Sequence, residues 1–348
     1  AILPLVVSST YYLRLFNLSL IFGLLAVSLN VVLGYAGQLS LGHAGLFGIG
    51  AYVTALITSG HDGTLFWPAF VASGVITGAA GLLIGIPALR LKGHYLALAT
   101  LGFGEIMRSL FFNWRDVTHG MDGIGNIPAP SLGFFAFMGD ARYYYLLLPI
   151  MAIVLLAMHR LERSKYGRML AAIRDAELAA GTVGVDVPRL KIVAFFISAV
   201  LAGWAGSLYA NLMGYISPDV FTFDVSAQVL SMVLIGGIGT TGGPVMGAIV
   251  LTFLPELLRI SKAYYQLIYG AGIAAMIIFL PGGLLGLARA WWRSSAIVPV
   301  PAPVSAQDSD VPVMLASSGR RATSGDRPPL LAATGVTMRF GGLVALNG

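Results

Sequence analysis

An all-α, polytopic membrane helical bundle is encoded in this chain of 348 residues. Charged residues make up 10% of it and hydrophobic ones 57%, whereas soluble domains carry roughly 25% charged residues. Glycine, at 44, outnumbers the charged residues, 21 basic plus 15 acidic, and glycine is commoner in membrane helices than in soluble ones. The apolar runs extend for about 20 residues and do not alternate in tens, which favours helices over a transmembrane barrel. The absence of cysteine excludes a disulfide scaffold, a thiolate metal site and a cysteine nucleophile. A net charge of +6 points to no nucleic-acid partner; its placement along the chain is what carries information.

Runs of spanning length fall near residues 12–34, 37–59, 64–87, 94–113, 143–159, 191–213, 225–239, 244–260 and 264–286. The short apolar run Ala1–Val7 reads as the tail of a further helix, which makes about 9–10 membrane segments. Basic residues in short loops set the orientation. The connection 160–191 holds Arg160, Arg163, Lys165, Arg168, Arg174, Arg189 and Lys191, which places it in the cytoplasm. Alternation puts Arg90, Lys92, Arg289 and Arg293 on the same side, against Arg115, Arg142, Arg259 and Lys262 on the other.

The membrane domain thus covers 1–293, and its C-terminal end is expected in the cytoplasm. Residues 294–329, rich in Pro, Ser and Ala, read as a flexible linker. Residues 330–348 alternate apolar with polar or small residues around Val336–Phe340 and then reach Gly341-Gly342, the pattern of a β-hairpin with a diglycine turn. The chain opens inside an apolar run and stops as a new domain begins, so it is expected to be a piece of a longer protein.

Two segments, Gly34–Ala51 and Gly236–Ala248, place glycine and hydroxyl residues where a straight membrane helix would hold aliphatic ones. A pair of Gly/Pro-interrupted segments, one in each half of a chain, points to a transport pathway built on broken helices. Gln38, Ser40, His43, Thr240 and Thr241 are the polar groups expected to line it. Close packing through small residues explains the glycines equally well, since Gly239, Gly243 and Gly247 are four apart and Gly74/Gly78 and Gly81/Gly85 repeat that spacing elsewhere.

Glu105 and Arg108 share a helical face in the 94–113 segment. They either pair with each other near the outer interface or meet the charged ends of a zwitterionic solute. Mutual pairing is the simpler expectation, and the same holds for Glu256 with Arg259. No second imidazole or carboxylate is spaced to complete a metal site with His43.

The cytoplasmic stretch 162–191 reads as two short helices, Tyr166–Ile173 and Ala176–Val183. Asp175 is placed to cap the second, and Gly184 to stop it. Leu178, Val183 and Val185 mixed with Glu177 and Asp186 suit a surface that docks a cytoplasmic partner, while Arg163, Lys165 and Arg168 suit lipid headgroups. No catalytic constellation appears, and Gly-x-x-x-x-Gly-Lys-Ser/Thr occurs nowhere in the chain.

Five stretches carry a resemblance. LNVVLGYAGQLSLGHAGLFGIGAY (29–52), LKGHYLALATLGFGE (91–105), THGMDGI (118–124), SKYGRMLAAIRDAELAA (164–180) and GGIGTTGGPVMGA (236–248) strongly resemble the permease family of branched-chain amino-acid ABC importers. The likeness runs over roughly residues 10–290 and is nearest to the subunit usually paired with a second, shorter permease. Urea and short-amide permeases look alike.

The resemblance implies a bacterial inner-membrane importer in which a periplasmic solute-binding protein delivers an amino acid. Two permease subunits form the path and two cytoplasmic ATPase subunits drive it by alternating access. It makes ELAAGTVG (177–184), with Ala180, Gly181 and Gly184, the segment that couples to the ATPase. It also makes 330–348 the opening strands of a fused ATP-binding domain, with Phe340 at the position of the aromatic residue that stacks on adenine. ATP would be bound there or on a partner, not by the permease, which does no covalent chemistry and holds no metal. The rivals are the same architecture with urea, a short amide or an aromatic acid as solute, and an ion-coupled secondary transporter. The last is disfavoured by the placement of Glu105, Glu256 and Asp224 near the outer ends of their segments.

Overall fold

The computed structural model describes residues 9–88, 91, 93–133, 135–258, 270, 274, 283–286, 338–340 and 343–346. Contacts divide the chain into two units, 1–296 and 297–348. The first is helical: α1 Thr10–Asn30, α2 His43–Thr58, α3 Phe66–Ala88, α4 His94–Asn113, the short α5 Arg115–Thr118, α6 Asp140–Arg163, α7 Lys165–Thr182, α8 Val187–Met213, α9 Phe223–Gly236 and α10 Gly243–Leu258. In the second, β1 Met338–Phe340 pairs antiparallel with β2 Leu343–Leu346, Phe340 opposite Leu343. That pairing matches the two strands of the expected hairpin; its turn, Gly341-Gly342, lies outside the described residues.

Six helical segments among the described residues are long and apolar enough to cross a membrane, and α2 and α10 are shorter apolar helices. Six such helices make the chain a multi-pass membrane protein. The expected segment 264–286 lies almost wholly outside the described residues. The expected segment 37–59 needs correction, because its first six residues, Gly37–Gly42, are not helical and α2 begins only at His43. The 16 residues of α2 rise about 24 Å at 1.5 Å each, short of the ~30 Å hydrocarbon core.

Hydrogen bonds fix how the helices alternate. At one end the start of α1 meets α6 (Asn17 Nδ2 to Asp140 O, 2.9 Å), and the end of α2 meets the loop after α5 (Ser59 Oγ to Gly125 O, 2.8 Å). The loop after α5 also bridges to the chain after α8, through Ile124 and Ile216. The opposite end, called here the α7 end, gathers the end of α1, the start of α2 and the turn after α9.

Helices α1 and α8 form the centre. Ile21, Leu25 and Leu29 of α1 and Ala199, Ala202 and Ala205 of α8 are fully buried. The leucine-rich sequence of α1, with few β-branched residues, suits a helix, and the turn that follows it, Val31–Tyr35, widens to a π-turn, a local form frequent at functional positions. In α8, Asp186 caps the first turn by accepting from Arg189 N at 3.3 Å, and Gly214 at φ 71 ends it. The glycines of α3 make room for α8: Gly74 faces Trp204, Gly78 faces Phe196 and Val200, and Gly81 faces Ala199.

Backbones touch where α2 crosses α8. A Cβ on Gly50 would overlap Gly203, and one on Gly206 would overlap the Phe47 carbonyl. Toward the end that carries α5, aromatic rings fill the space between helices: Tyr52 stacks on Phe111 with centroids 4.5 Å apart, and Phe47 lies 5.2 Å from Tyr209 and 5.6 Å from Phe221.

Gly206→Val should therefore separate two helix backbones and sharply reduce the monodisperse protein recovered in detergent, as overpacking typically costs about 1–3 kcal/mol. Gly85→Ala, whose Cβ would meet Phe195 at an ordinary 3.4 Å, should match the parent in the same gel-filtration assay or melt slightly higher, since Ala outranks Gly in helices.

Candidate functional site

The two glycine-rich segments both break at the α7 end, where residues 37–42 before α2 and 237–242 before α10 are not helical. Glycine is required at these turns. Gly37, Gly237 and Gly239 have φ of 68, 120 and 72, a region that side chains with a Cβ rarely enter.

A break inside an apolar bundle frees backbone groups that need partners, and the structure supplies them one by one. Gln38 N donates to Val32 O at 2.9 Å, and the Gln38 side chain to Ala36 O at 3.2 Å. Leu41 N finds Thr100 Oγ1 of α4 at 2.9 Å, and Ala44 N finds Ser226 Oγ of α9 at 3.0 Å. In the second break Thr240 Oγ1 donates to Gly237 O at 2.8 Å, and the Thr241 hydroxyl donates to the Glu162 carboxylate at the end of α6.

The end of α1, which leads into the first break, also meets the second. Asn30, in the last turn of α1, donates from Nδ2 to Thr240 O at 3.0 Å and accepts from Gly239 N at 2.9 Å. Arg174 of α7 donates from Nη1 to Gly34 O at 3.0 Å and from Nε to Asp175 Oδ1 at 2.9 Å. Asn30 and Arg174 are absent from the expected site residues. The signal for Asn30 was present: an amide within the run Leu24–Leu33 is expensive unless it has a partner. Arg174 gave none, because it reads as one more cation of a basic loop.

His43 and Ser40 are brought together, but inside the core. Ser198 Oγ donates to Ser28 O at 2.7 Å, so it accepts from His43 Nε2 at 2.9 Å. His43 Nδ1 is then left to accept from Ser40 Oγ at 3.1 Å. The ring is thus a neutral tie among α1, α2 and α8, 1% exposed, with both nitrogens committed. Glu105 lies elsewhere, paired with Arg108 at 3.2 Å as the simpler expectation had it. It lines a crevice with Leu41, Ala44, Gly104, Phe221 and Ser226, beside the first break. Glu256 accepts from Tyr11 at 2.6 Å; Arg259, its expected partner, lies outside the described residues.

The expected pair of short helices after α6 is present: the stretch named α7 is interrupted at Ala176, whose backbone (φ −156, ψ 86) is not helical, so one helix precedes that kink and one follows it. Ser164 caps the first, accepting from Gly167 N at 3.2 Å. The second ends in a Schellman turn: Val185 N donates to Ala180 O at 3.1 Å and Gly184 N to Gly181 O at 3.2 Å, with Gly184 at φ 86. Asp175 holds Arg174. Glu177 holds Lys191 at 2.9 Å, and Lys191, first counted with the loop cations, is a buried charge at 1% exposure. Ala180 packs inward, whereas Leu178 and Val183 are exposed at 80% and 78%. A groove of about 240 Å³ runs between Glu177, Leu178 and Gly181 on one side and Val187, Pro188 and Lys191 on the other.

With this geometry in place, the relatives of the chain are informative. Residues 11–280 match the family described as branched-chain amino acid transport system, permease component. The high-affinity branched-chain amino acid transport system permease protein LivM of Escherichia coli K12 is 38% identical over 296 residues, covering 78% of this chain and 69% of that protein. The probable LivM of Methanocaldococcus jannaschii is 26% identical, covering 79% of this chain and 90% of its own length. The high-affinity branched-chain amino acid transport system permease protein LivH of Escherichia coli K12 is also 26% identical, covering 76% of this chain and 91% of its own length. No solved structure matches. The chain belongs to the family of permease components of branched-chain amino acid transport systems.

Proposed function

We propose that this permease imports branched-chain amino acids across a bacterial inner membrane by alternating access, driven by ATPase subunits that dock on α7. The observation that carries this reading is the make-up of α7. It is pinned to the bundle by Ala180 and by the Glu177–Lys191 pair, yet it exposes Leu178 and Val183 almost completely. Exposed large apolar side chains on an otherwise polar segment are what a partner covers. The eleven basic residues that the sequence assigns to the α7 side, against four on the other, support a cytoplasmic α7.

The second permease subunit is assigned to the outward face of α4. Tyr95, Leu98 and Ile106 are exposed there, no atom lies near Gly102, and the Glu105–Arg108 pair is half exposed. An ion pair of this kind is costly against lipid and suits a facing subunit or a watered path. The solute path would then pass between the two permeases, with a periplasmic binding protein supplying it from the end that carries α5. Gln38, Thr240 and Thr241 sit at the inner mouth in this reading.

ATP belongs to the ATPase subunits. The antiparallel β1–β2 pair supports reading 330–348 as the opening strands of such a domain, with Phe340 as its adenine-facing aromatic. The residues present supply no phosphate-cradling loop, so no step of hydrolysis is assigned to them. ATP binding can bias the path only through contacts that differ between its two states.

Leucine uptake into proteoliposomes holding the assembled transporter and its binding protein tests the reading. Uptake should require ATP on the α7 side and be suppressed by isoleucine and valine but not urea; uptake driven by an ion gradient instead would overturn it. Leu178→Ser with Val183→Ser should reduce ATPase stimulation by loaded binding protein about tenfold, within the usual range of coupling energies, while the permease remains folded. Glu177→Gln acts differently. It strands Lys191 in the core, and a broken buried pair costs roughly 3–5 kcal/mol, so the expected loss is of folded protein in a thermal melt, and Glu177→Gln with Lys191→Met should recover it.

A further inference from the structure

We infer that Asn30 and Arg174 form a clamp that ties the two glycine breaks to each other and to α7, and that movement of α7 reaches both breaks through Arg174. This rests on α7 being the element that ATPase subunits move. Asn30 presents its amide to the second break as a peptide would, one donor to Thr240 O and one acceptor to Gly239 N, at 3.0 and 2.9 Å. Gly34 has to be glycine for that contact, since a Cβ there would overlap Asn30 Oδ1 and come within 2.5 Å of Gly239 N. The π-turn Val31–Tyr35 widens α1 at this level.

Arg174 closes the other side. Its Nη1 reaches the Gly34 carbonyl, and the same atom stands 3.0 Å from where a Gly239 Cβ would lie. Its stem fills the space a Gly37 side chain would need, with Cγ 2.9 Å from that position. One arginine side chain thus touches the end of α1, the first break and the second break. A charged donor to a carbonyl is stronger than a neutral one, and the direction of this bond is set by Asp175, which holds Nε at 2.9 Å.

Location argues that the role is transmission and not packing alone. The Arg174 side chain is 38% exposed, so the core does not depend on it as it depends on Lys191. It sits two residues before the kink at Ala176, and the exposed Leu178 and Val183 follow that kink. Force applied to the exposed part of α7 therefore passes the kink and arrives first at Arg174. The Thr241–Glu162 hydrogen bond ties the second break to the end of α6 and keeps that break from following passively.

The absence of cysteine makes the test direct. A single cysteine at Gly242, where nothing described lies closer than Leu285 at 4.0 Å, reports the second break through its labelling rate with a membrane-impermeant maleimide. In the assembled transporter, Arg174→Ala and Asn30→Ala should each raise that rate about tenfold, the effect of losing one or two hydrogen bonds. Arg174→Ala should also abolish its dependence on nucleotide. ATP hydrolysis should persist in Arg174→Ala while leucine uptake per ATP falls about tenfold, and Arg174→Lys, which keeps one donor for Gly34 O, should recover part of it. An unchanged labelling rate in both alanine variants overturns the clamp. Hydrolysis and uptake falling together, with no rescue by lysine, reduces Arg174 to a structural residue and overturns its transmitting role. Absence of ATP-driven uptake in the parent transporter would instead refute the import reading, and the labelling arm would still decide whether the clamp exists.

Discussion

Inside an apolar bundle no water stands ready to accept or donate a hydrogen bond, so every peptide group that leaves a helix must be met by the protein itself. The two breaks, 37–42 and 237–242, follow from how that demand is met. Thr100 and Ser226 come from α4 and α9 to meet Leu41 N and Ala44 N, and Asn30 meets Gly239 and Thr240. Each of those donors and acceptors belongs to a different helix, so satisfying the breaks also fixes which helices are neighbours. The fold and the prospective pathway are one problem with one solution.

Glycine makes that solution sterically possible. Side chains could not reach the broken backbone if the helices stood at ordinary separations. At Gly34, Gly50 and Gly206 the neighbouring backbone occupies the place of a Cβ, and small residues are the usual means of such approach in membranes. The glycines divide between helix packing and chain breaks: Gly74, Gly78 and Gly81 serve α3 on α8, while Gly34, Gly37 and Gly239 serve the breaks.

The charged groups divide in the same way. Lys191 and Glu177 form a pair in which one member is almost wholly buried, and its value lies in holding α7 at a set angle to α8, since buried pairs seldom add net stability. Arg174 and Asp175 are the exposed counterpart, joined to the end of α1 at Gly34. The kink at Ala176 separates the two pairs, so each of the two short helices is tied to the bundle through its own charged residue.

Hydropathy and spacing by themselves determined the membrane class, most of the helices, their alternation, the two short helices of α7 and their glycine stop, the Glu105–Arg108 pair and the strands 338–340 and 343–346; the cap expected at Asp175 lies instead at Ser164. These are local properties, set by periodicity, propensity and turn chemistry over a few residues. Tertiary structure alone decided that α2 starts at His43, that His43 is a buried tie to Ser40 and Ser198, that Lys191 is a core cation, and that Asn30 joins residues more than two hundred positions away. A donor or a charge can be read in a sequence, but its partner is chosen by which helices the bundle brings within 3 Å, and that choice depends on contacts summed over the whole chain.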